Sequence, residues 1–459
     1  MAETILPGTY ITVRDEGLIT AGRIASGNIG IVGTAEKGPI ETVQILGSFA
    51  EAKEIFGEKG SSSDTNALTL IRALEFVFSN GGTNVYAVRA ATSAAAAAIH
   101  TIKDSTSGSA DLVKLTAASK GAWGNDIKIS VSNETPNKKV VIRYQTTEEQ
   151  YLVDNGSTLI SQINQQSNLV TAALVSGADG TKIPKDFTVT SFTSGDSGAA
   201  ATSTEYSTAL VKLENDIINI VLLAGQSPDI TNMATILASH VDITAQRDRE
   251  RIGIIGSSNT TDDATIITQN STINNDRILF VAPGIYVSSQ EKLSGAYTAA
   301  AFAGLIASLP VQASPTNKVL NIPGLLAEYN KPKLERLVQK RVVAIEKREG
   351  YRVVKGITTS TNSAWHQITT RRIVDYAKYG VRSACNPYIG KLNNDRVRGA
   401  MRATLDAFLT RMVEDEALVG YELDVTATRA QEIAGEAIVT MTIRPTFSID
   451  FIKVTMYLA

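Results

Sequence analysis

NIGIVGTAEKG, residues 28–38, is the stretch on which the fold turns. Ile29, Ile31 and Val32 put apolar side chains on both parities, as a strand buried on both faces requires, and the glycines lead it into a turn. The next signal is helical. Asp64 stands at a capping position, Ala67, Leu70, Ile71, Leu74, Val77 and Phe78 recur at helical spacing, and Gly81 stops the run. NVYAVRA (84–90) then reads as a second strand, so the three segments form one β-α-β unit.

The same rhythm resumes much later. IINIVLLAG (217–225), a helix near 229–242, RIGIIG (251–256), DRILFVAPG (276–284) and a small-residue helix at 294–309 alternate, which predicts a mostly parallel sheet covered on both faces. Between the two halves the composition changes at ATSAAAAA (91–98) and again at TSGDSGAAATSTEYS (193–207), as at the borders of an insertion. Inside those borders DIKISVSN, KKVVIRYQ and QYLVD read as strands and 157–170 as one helix. Beyond the second half, 331–348 reads as an amphipathic helix carrying Leu334, Leu337, Val338, Arg341 and Ile345 on one face. A helix near 393–417 and the strands YELDVTATRA and EAIVTMTIRP follow. The fold class is α/β, or α+β overall: an interrupted α/β core, an inserted small α+β domain, and extended β arms at the two ends. The corresponding divisions are 1–20, 21–92, 93–207, 208–446 and 447–459.

A length of 459 residues allows about three domains by the usual prior, with 43% hydrophobic and 20% charged residues, an ordinary globular balance. The single cysteine, Cys385, can form no intrachain disulfide. MAETILPGTYITV has neither a basic region nor a long apolar run, so no secretory leader is expected, and 297–311 is too short to span a bilayer. Net charge is −2, yet residues 331–400 hold sixteen Lys and Arg against five Asp and Glu. That local excess is a statement about partners rather than fold.

Catalytic constellations are scarce. Gly27, Gly30 and Gly33 imitate a phosphate-binding turn, but they lie within the strand and no helix opens at the third, so close packing explains them better. The strand ends GSS (256–258) and APG (282–284) read alike. No GxxxxGK[ST], HExxH, CxxC or GxSxG sequence occurs, and His100, His240 and His366 are scattered. Glu414, Asp415 and Glu416 end a predicted helix, where they oppose its dipole and must be solvated or paired. Lys333, Arg336, Lys340, Lys347 and Arg348 project from the apolar stripe of 331–348, with Arg371, Arg372, Lys378 and Arg382 in the same region. A solvated face and contact with an acidic protein surface both fit. Nucleic-acid binding fits less well, without an aromatic platform or a basic isoelectric point.

The last residues, FSIDFIKVTMYLA (447–459), pose a separate question, since an unpartnered terminus is normally polar. Phe447, Ile449 and Phe451 share one face of an extended strand, whereas Ile452, Val454, Met456 and Leu458 share the other. The apolar face changes sides at 451/452, as a bulge or a passage between two sheets would require.

Together these segments resemble the sheath proteins of contractile phage tails and related injection machines. PGTYITV followed by GIVGTAEKGP and FGEKG is similar to the sheath opening. GAWGNDIKISVSN with LISQINQQSNLV is similar to the domain in the same place, and EGYRVVKGITTSTNSAWHQITTRRIVDYAKYGVRSA to the C-terminal third. The resemblance implies a structural subunit with no cofactor, catalytic residue or metal. It further implies terminal arms that complete sheets in neighbouring subunits, carried here by Tyr10, Ile11 and Val13 and by Phe447, Ile449, Phe451, Ile452, Val454, Met456 and Leu458. The implied partners are copies of itself in hexameric rings stacked into a helical sheath, an inner tail tube protein, and baseplate and tail terminator proteins. Nucleic acid and membrane insertion are not among them. The implied location is a virion tail or contractile injection particle assembled in the bacterial cytoplasm, with Lys333, Arg336, Lys340, Lys347 and Arg348 as candidates for gripping the tube. A nucleotide-binding α/β enzyme of dehydrogenase type is the alternative, and it predicts a discrete particle with a measurable ligand.

Overall fold

The computed structural model describes residues 26–60, 68–106 and 108–457. Tyr10, Ile11, Val13, Asp64, Ala67 and Leu458, all named above, lie outside the described residues. The chain divides into two compact units, one comprising residues 27–308 and 315–360, the other containing Leu309–Ser314 and everything from Thr361 onward.

The larger unit is built on a nine-stranded sheet. Six strands run parallel in the spatial order Val343–Lys347, Ile278–Ala282, Ile252–Gly256, Ile220–Leu223, Ile29–Gly33, Val85–Arg89. Short antiparallel strands close both sides: Tyr351–Val353 and Val319–Leu320 at one edge, Val43–Leu46 at the other. The central strands are buried along their whole length, which is why they read as unbroken apolar runs. Ile31 lies opposite both Leu222 and Ala87, and Ile254 opposite both Leu222 and Leu279. Helices Leu70–Ser79 and Gly295–Ser308 pack together; the alanines of the latter let it lie close against the strands. Leu210, Leu237, Ile266 and Leu337, from four further helices, share a core with strand residues such as Val221 and Phe280.

The glycines of the opening stretch serve packing. A Cβ on Gly33 would stand 2.7 Å from the Ala224 Cβ and 3.0 Å from the Leu70 Cα, so the strand end and the helix start meet only because nothing is there. The helix expected over 331–348 is two elements. Lys331–Gln339 is helical, capped by the Asn330 side chain with Pro332 in its first turn, and Val343–Lys347 is a strand. Arg341, at φ +64°, breaks the helix, and the buried run Val342–Ile345 then joins the sheet. Residues 157–170 likewise divide, into helix Gly156–Gln166 and strand Val170–Leu174.

Between Ala98 and Phe192 lies a separate hydrophobic cluster, formed by a three-stranded and a four-stranded antiparallel sheet with helix Gly156–Gln166. Its borders meet: the amides and carbonyls of Ala96 and Asp196 exchange hydrogen bonds of 2.9 and 3.0 Å. Attachment to the sheet runs through the turn after Ile29–Gly33. Tyr144 donates to Glu36 Oε1 at 3.3 Å, Lys37 stands over the Trp123 and Tyr144 rings, and the buried Arg89 guanidinium donates to the carbonyls of Gly38 and Lys120.

Candidate assembly surfaces

The smaller unit consists of two long helices, Ile368–Cys385 and Asp395–Glu414, and a hairpin of Leu418–Thr426 with Ile438–Pro445. Its core joins Val311, Ile373, Ala377, Phe408, Leu409 and Met412. The helices touch where Gly380 meets the Phe408 ring, and a Cβ there would lie 2.0 Å from Cζ. The sequence pattern marks no helix over 368–385 and groups Arg371 and Arg372 with the surface cations; the structure places a helix there and corrects both. Arg371 is buried, stacked 4.1 Å from the Trp365 ring centroid and paired to Asp375 at 3.1 Å. Arg372 is buried among the carbonyls of Ser26, Leu309 and Pro310, and burial lowers its pKa to about 10.

The hairpin is tied to the helix beneath it by the Tyr421 hydroxyl, 2.6 Å from Asp406 Oδ1 and 2.8 Å from Thr410 Oγ1. Tyr421, Leu423, Val439, Met441 and Ile443 face inward yet remain only half-buried. Among the described residues neither strand has a second partner, so both outer edges present unused backbone groups. The sequence signal for these edges is two alternating strands with no third nearby. The chain then leaves the hairpin as an extended tail. Thr446 N donates to Ala417 O at 3.1 Å and Gln367 Nε2 to Asp450 Oδ2 at 3.2 Å, but no described residue beyond Pro445 is in a strand. Phe447, Ile449, Phe451, Ile452, Val454 and Met456 are 63–82% exposed. A contiguous apolar tail this open is an unfilled demand for a surface.

The basic segment does not form one face. Lys333 pairs at 3.1 Å with Asp263, a buried carboxylate at the start of helix Asp263–Ser271, and Arg336 pairs with the same group. Those cations hold two helices of the larger unit together. Lys347 lies on a strand and pairs with Glu328 at 2.9 Å; Arg348, in the turn that follows, contacts Glu346 at 3.2 Å and Asn317 at 2.7 Å. Lys340 closes the helix and, among the described residues, has no ion-pair partner.

Other chemistry is sparse. No group of three or more His, Cys, Asp or Glu among the described residues could hold a metal ion, and no described helix is long and apolar enough to cross a membrane. Residues 199–359 match the family model for the phage tail sheath protein central domain, and residues 360–459 that for the phage tail sheath C-terminal domain, together more than half of the chain. The chain belongs to the phage tail sheath family. Its two matched segments meet where the compact units divide, near residue 360. The chain is 24% identical over 248 residues to the tail sheath protein of Bacillus phage SP01. That alignment takes in 51% of this chain and 43% of that protein, so the chain accounts for less than half the length of this relative. The fold is similar to that of the sheath tail protein from Listeria innocua (TM-score 0.69, 16% identity, 94% of each chain covered). It is also similar to the sheath tail protein from Desulfitobacterium hafniense (TM-score 0.66, 15% identity, 96% of this chain and 100% of that one). The helical sheath of the anti-feeding prophage in its contracted state gives a TM-score of 0.58 at 14% identity, with 99% of each chain covered. The tail sheath family is structural, not enzymatic.

Proposed function

We propose that this chain is a structural subunit of a contractile tail or injection particle, polymerising in stacked hexameric rings around an inner tube and linked to its neighbours by β-strand addition. The observation that carries the reading is the pairing of demand with supply in one molecule. Among the described residues, an exposed apolar segment, 447–457, belongs to no sheet, and the two-stranded hairpin before it has two open edges. A two-stranded sheet is marginal alone, and an added strand satisfies edge groups while alternate side chains set register. Residues 1–20 would supply a second arm. Links made of main-chain hydrogen bonds persist while the bodies they join turn, which allows a lattice to shorten without coming apart. The work would come from interfaces formed only in the contracted lattice, and no nucleotide is required.

On the same reading the basic segment contacts an acidic tube in the extended state. Lys340 has no ion-pair partner among the described residues, and the solvent-screened pairs of Lys347 and Arg348 can exchange partners at small cost. Baseplate and terminator proteins would bind the two ends of the polymer, and the 93–207 insertion would face outward. Electron microscopy of the purified full chain and of a chain ending at Thr446 tests this. The full chain should form long tubes and the shortened one soluble, folded subunits. Normal tubes from the shortened chain would refute the arm assignment.

A further inference from the structure

The larger unit carries a crevice that the sheath reading does not use. Its sheet runs outward in both directions from Ile29–Gly33. The chain leaves that strand for Val85–Arg89 by way of helix Leu70–Ser79, then returns across it by way of helix Ser203–Val211 to Ile220–Leu223. Leu70–Ser79 packs with Gly295–Ser308, whereas Ser203–Val211 packs with Met233–Gln246 in the other core. The two crossovers diverge beyond the carboxyl ends of the strands, and in open α/β sheets that is where a crevice forms. A cavity of about 330 Å³ is found there, at the lower end of the range of ligand sites. Ala35, Ala90 and Gly225, each just past a strand end, line it.

Two features of the lining point to a ligand. Tyr297 is only 7% exposed, and its hydroxyl reaches the crevice wall at Gly225 with no hydrogen-bond partner among the described residues. The buried Ser294 Oγ beside it is also without a partner. A buried hydroxyl without a partner, as at Ser294, is uncommon, and an acceptor bound in the crevice would satisfy both it and the Tyr297 hydroxyl at the crevice wall. Burial pushes the Tyr297 phenol well above its ordinary range, so it stays a neutral O–H donor. By contrast the neighbouring Tyr206 hydroxyl is already engaged, by Thr69 Oγ1 at 3.2 Å and Gln226 Nε2 at 2.8 Å. The second feature is charge. The lining includes Arg89 and Lys292, and no Asp or Glu is found among the described residues that form it. Arg89 is buried with Nε unpartnered, although its terminal nitrogens donate to backbone carbonyls, and Lys292 is exposed and has no ion-pair partner among the described residues. The remaining lining mixes an apolar side, with Ala90, Ala91 and the alanines at 199–201 in it, and neutral polar groups such as Thr34, Gln226 and Asn259.

We propose that this crevice binds a small organic anion, a carboxylate or a phosphate monoester with an apolar body. The anionic head accepts from Tyr297 and Ser294 and faces Lys292, and the body lies against the alanine-lined wall. The glycine-rich phosphate loop of a nucleotide site is missing, so the selection is by charge and size rather than by a phosphate fingerprint.

Equilibrium dialysis of the full chain against benzoate, phenyl phosphate and benzamidine tests the proposal with three probes that share one ring. At least one of the two anions should bind once per chain with a dissociation constant below about 1 mM, and benzamidine should not bind below about 10 mM. Benzoate alone would identify the carboxylate arm, phenyl phosphate alone the phosphate arm. Lys292→Glu and Tyr297→Phe should each weaken binding about tenfold or more, as the loss of a hydrogen bond to a charged group or of an ion contact predicts. Thermal melts verify that both variants fold; Tyr297→Phe removes a hydroxyl that has no partner and should melt no lower than the parent. The proposal is overturned if neither anion binds saturably below about 10 mM, if benzamidine binds as well as they do, or if both variants bind the anions unchanged.

Discussion

If the terminal tail links neighbouring subunits as proposed, its side chains count in the polymer and not in the isolated subunit, and a single substitution separates the two. Phe451 is 77% exposed, so Phe451→Ala removes almost nothing from the subunit's own core and should change its unfolding free energy by less than about 0.5 kcal/mol. In the polymer the same ring is proposed to be covered by a neighbour. Burying a phenylalanine completely is worth about 1.5–3 kcal/mol, so covering the exposed 77% contributes about 1.2–2.3 kcal/mol per contact. That corresponds to a rise of about 7- to 50-fold in the critical concentration for polymerisation. Sedimentation of assembled protein across a concentration series reads this directly, with denaturant melts of the dilute subunit as the control. Ile452→Ala, on the opposite face and 82% exposed, should act similarly only if the tail changes sides at 451/452 as its pattern implies. An unchanged critical concentration for both variants, or an equal loss of subunit stability, would refute the reasoning.

Three further outcomes follow from the interior. His240 is buried and accepts from Arg251 through Nε2 at 3.1 Å; burial, and then Arg251, lower its pKa to about 3. Its neutral form therefore stabilises the fold fully above the unfolded value near 6.5, and that contribution is lost as pH falls towards 3. Between pH 7.5 and 5 the parent should lose about 2 kcal/mol relative to His240→Gln, measured by denaturant melts at both pH values, and equal pH slopes would contradict the assignment. Gly380→Ala drives a methyl group into the Phe408 ring and should cost about 1–2 kcal/mol after the gain in helix propensity, read from the same melts. Asp263→Asn leaves Lys333 and Arg336 without their shared carboxylate; because both cations are half exposed the loss should be about 1–2 kcal/mol, shrinking in high salt.

The sheet was legible because strands buried on both faces leave an unmistakable trace: Ile252–Gly256 and Ile278–Ala282 fall where RIGIIG and DRILFVAPG place them. Helix Gly295–Ser308 was legible for the same reason, being apolar all round. The segment 340–348 was not, since a run such as VVAIEK satisfies both periods and one residue in the left-handed region, Arg341, decides between them. Charge was the poorest guide to the candidate site. Arg372 and Lys340 look alike in the sequence, but one donates to three carbonyls in the interior and the other, at a helix end, has no ion-pair partner among the described residues. Which of them reaches a surface depends on contacts far apart in the chain. The crevice beside Ile29–Gly33 was unreadable for a related reason, since its lining comes from strand ends and loops up to about 260 residues apart and no local motif announces it. The apolar tail, by contrast, is conspicuous in the sequence because apolar side chains recur where an unpartnered terminus is normally polar.

Whether the tail belongs to another subunit's sheet is tested most directly by a cryo-EM reconstruction of the assembled polymer, detailed enough to trace residues 447–457. The tail should run as a strand along an open edge of the 418–426/438–445 hairpin of a neighbouring copy, with its apolar face changing sides at 451/452. A tail folded back onto its own hairpin, or left in solvent within a well-ordered tube, would contradict it.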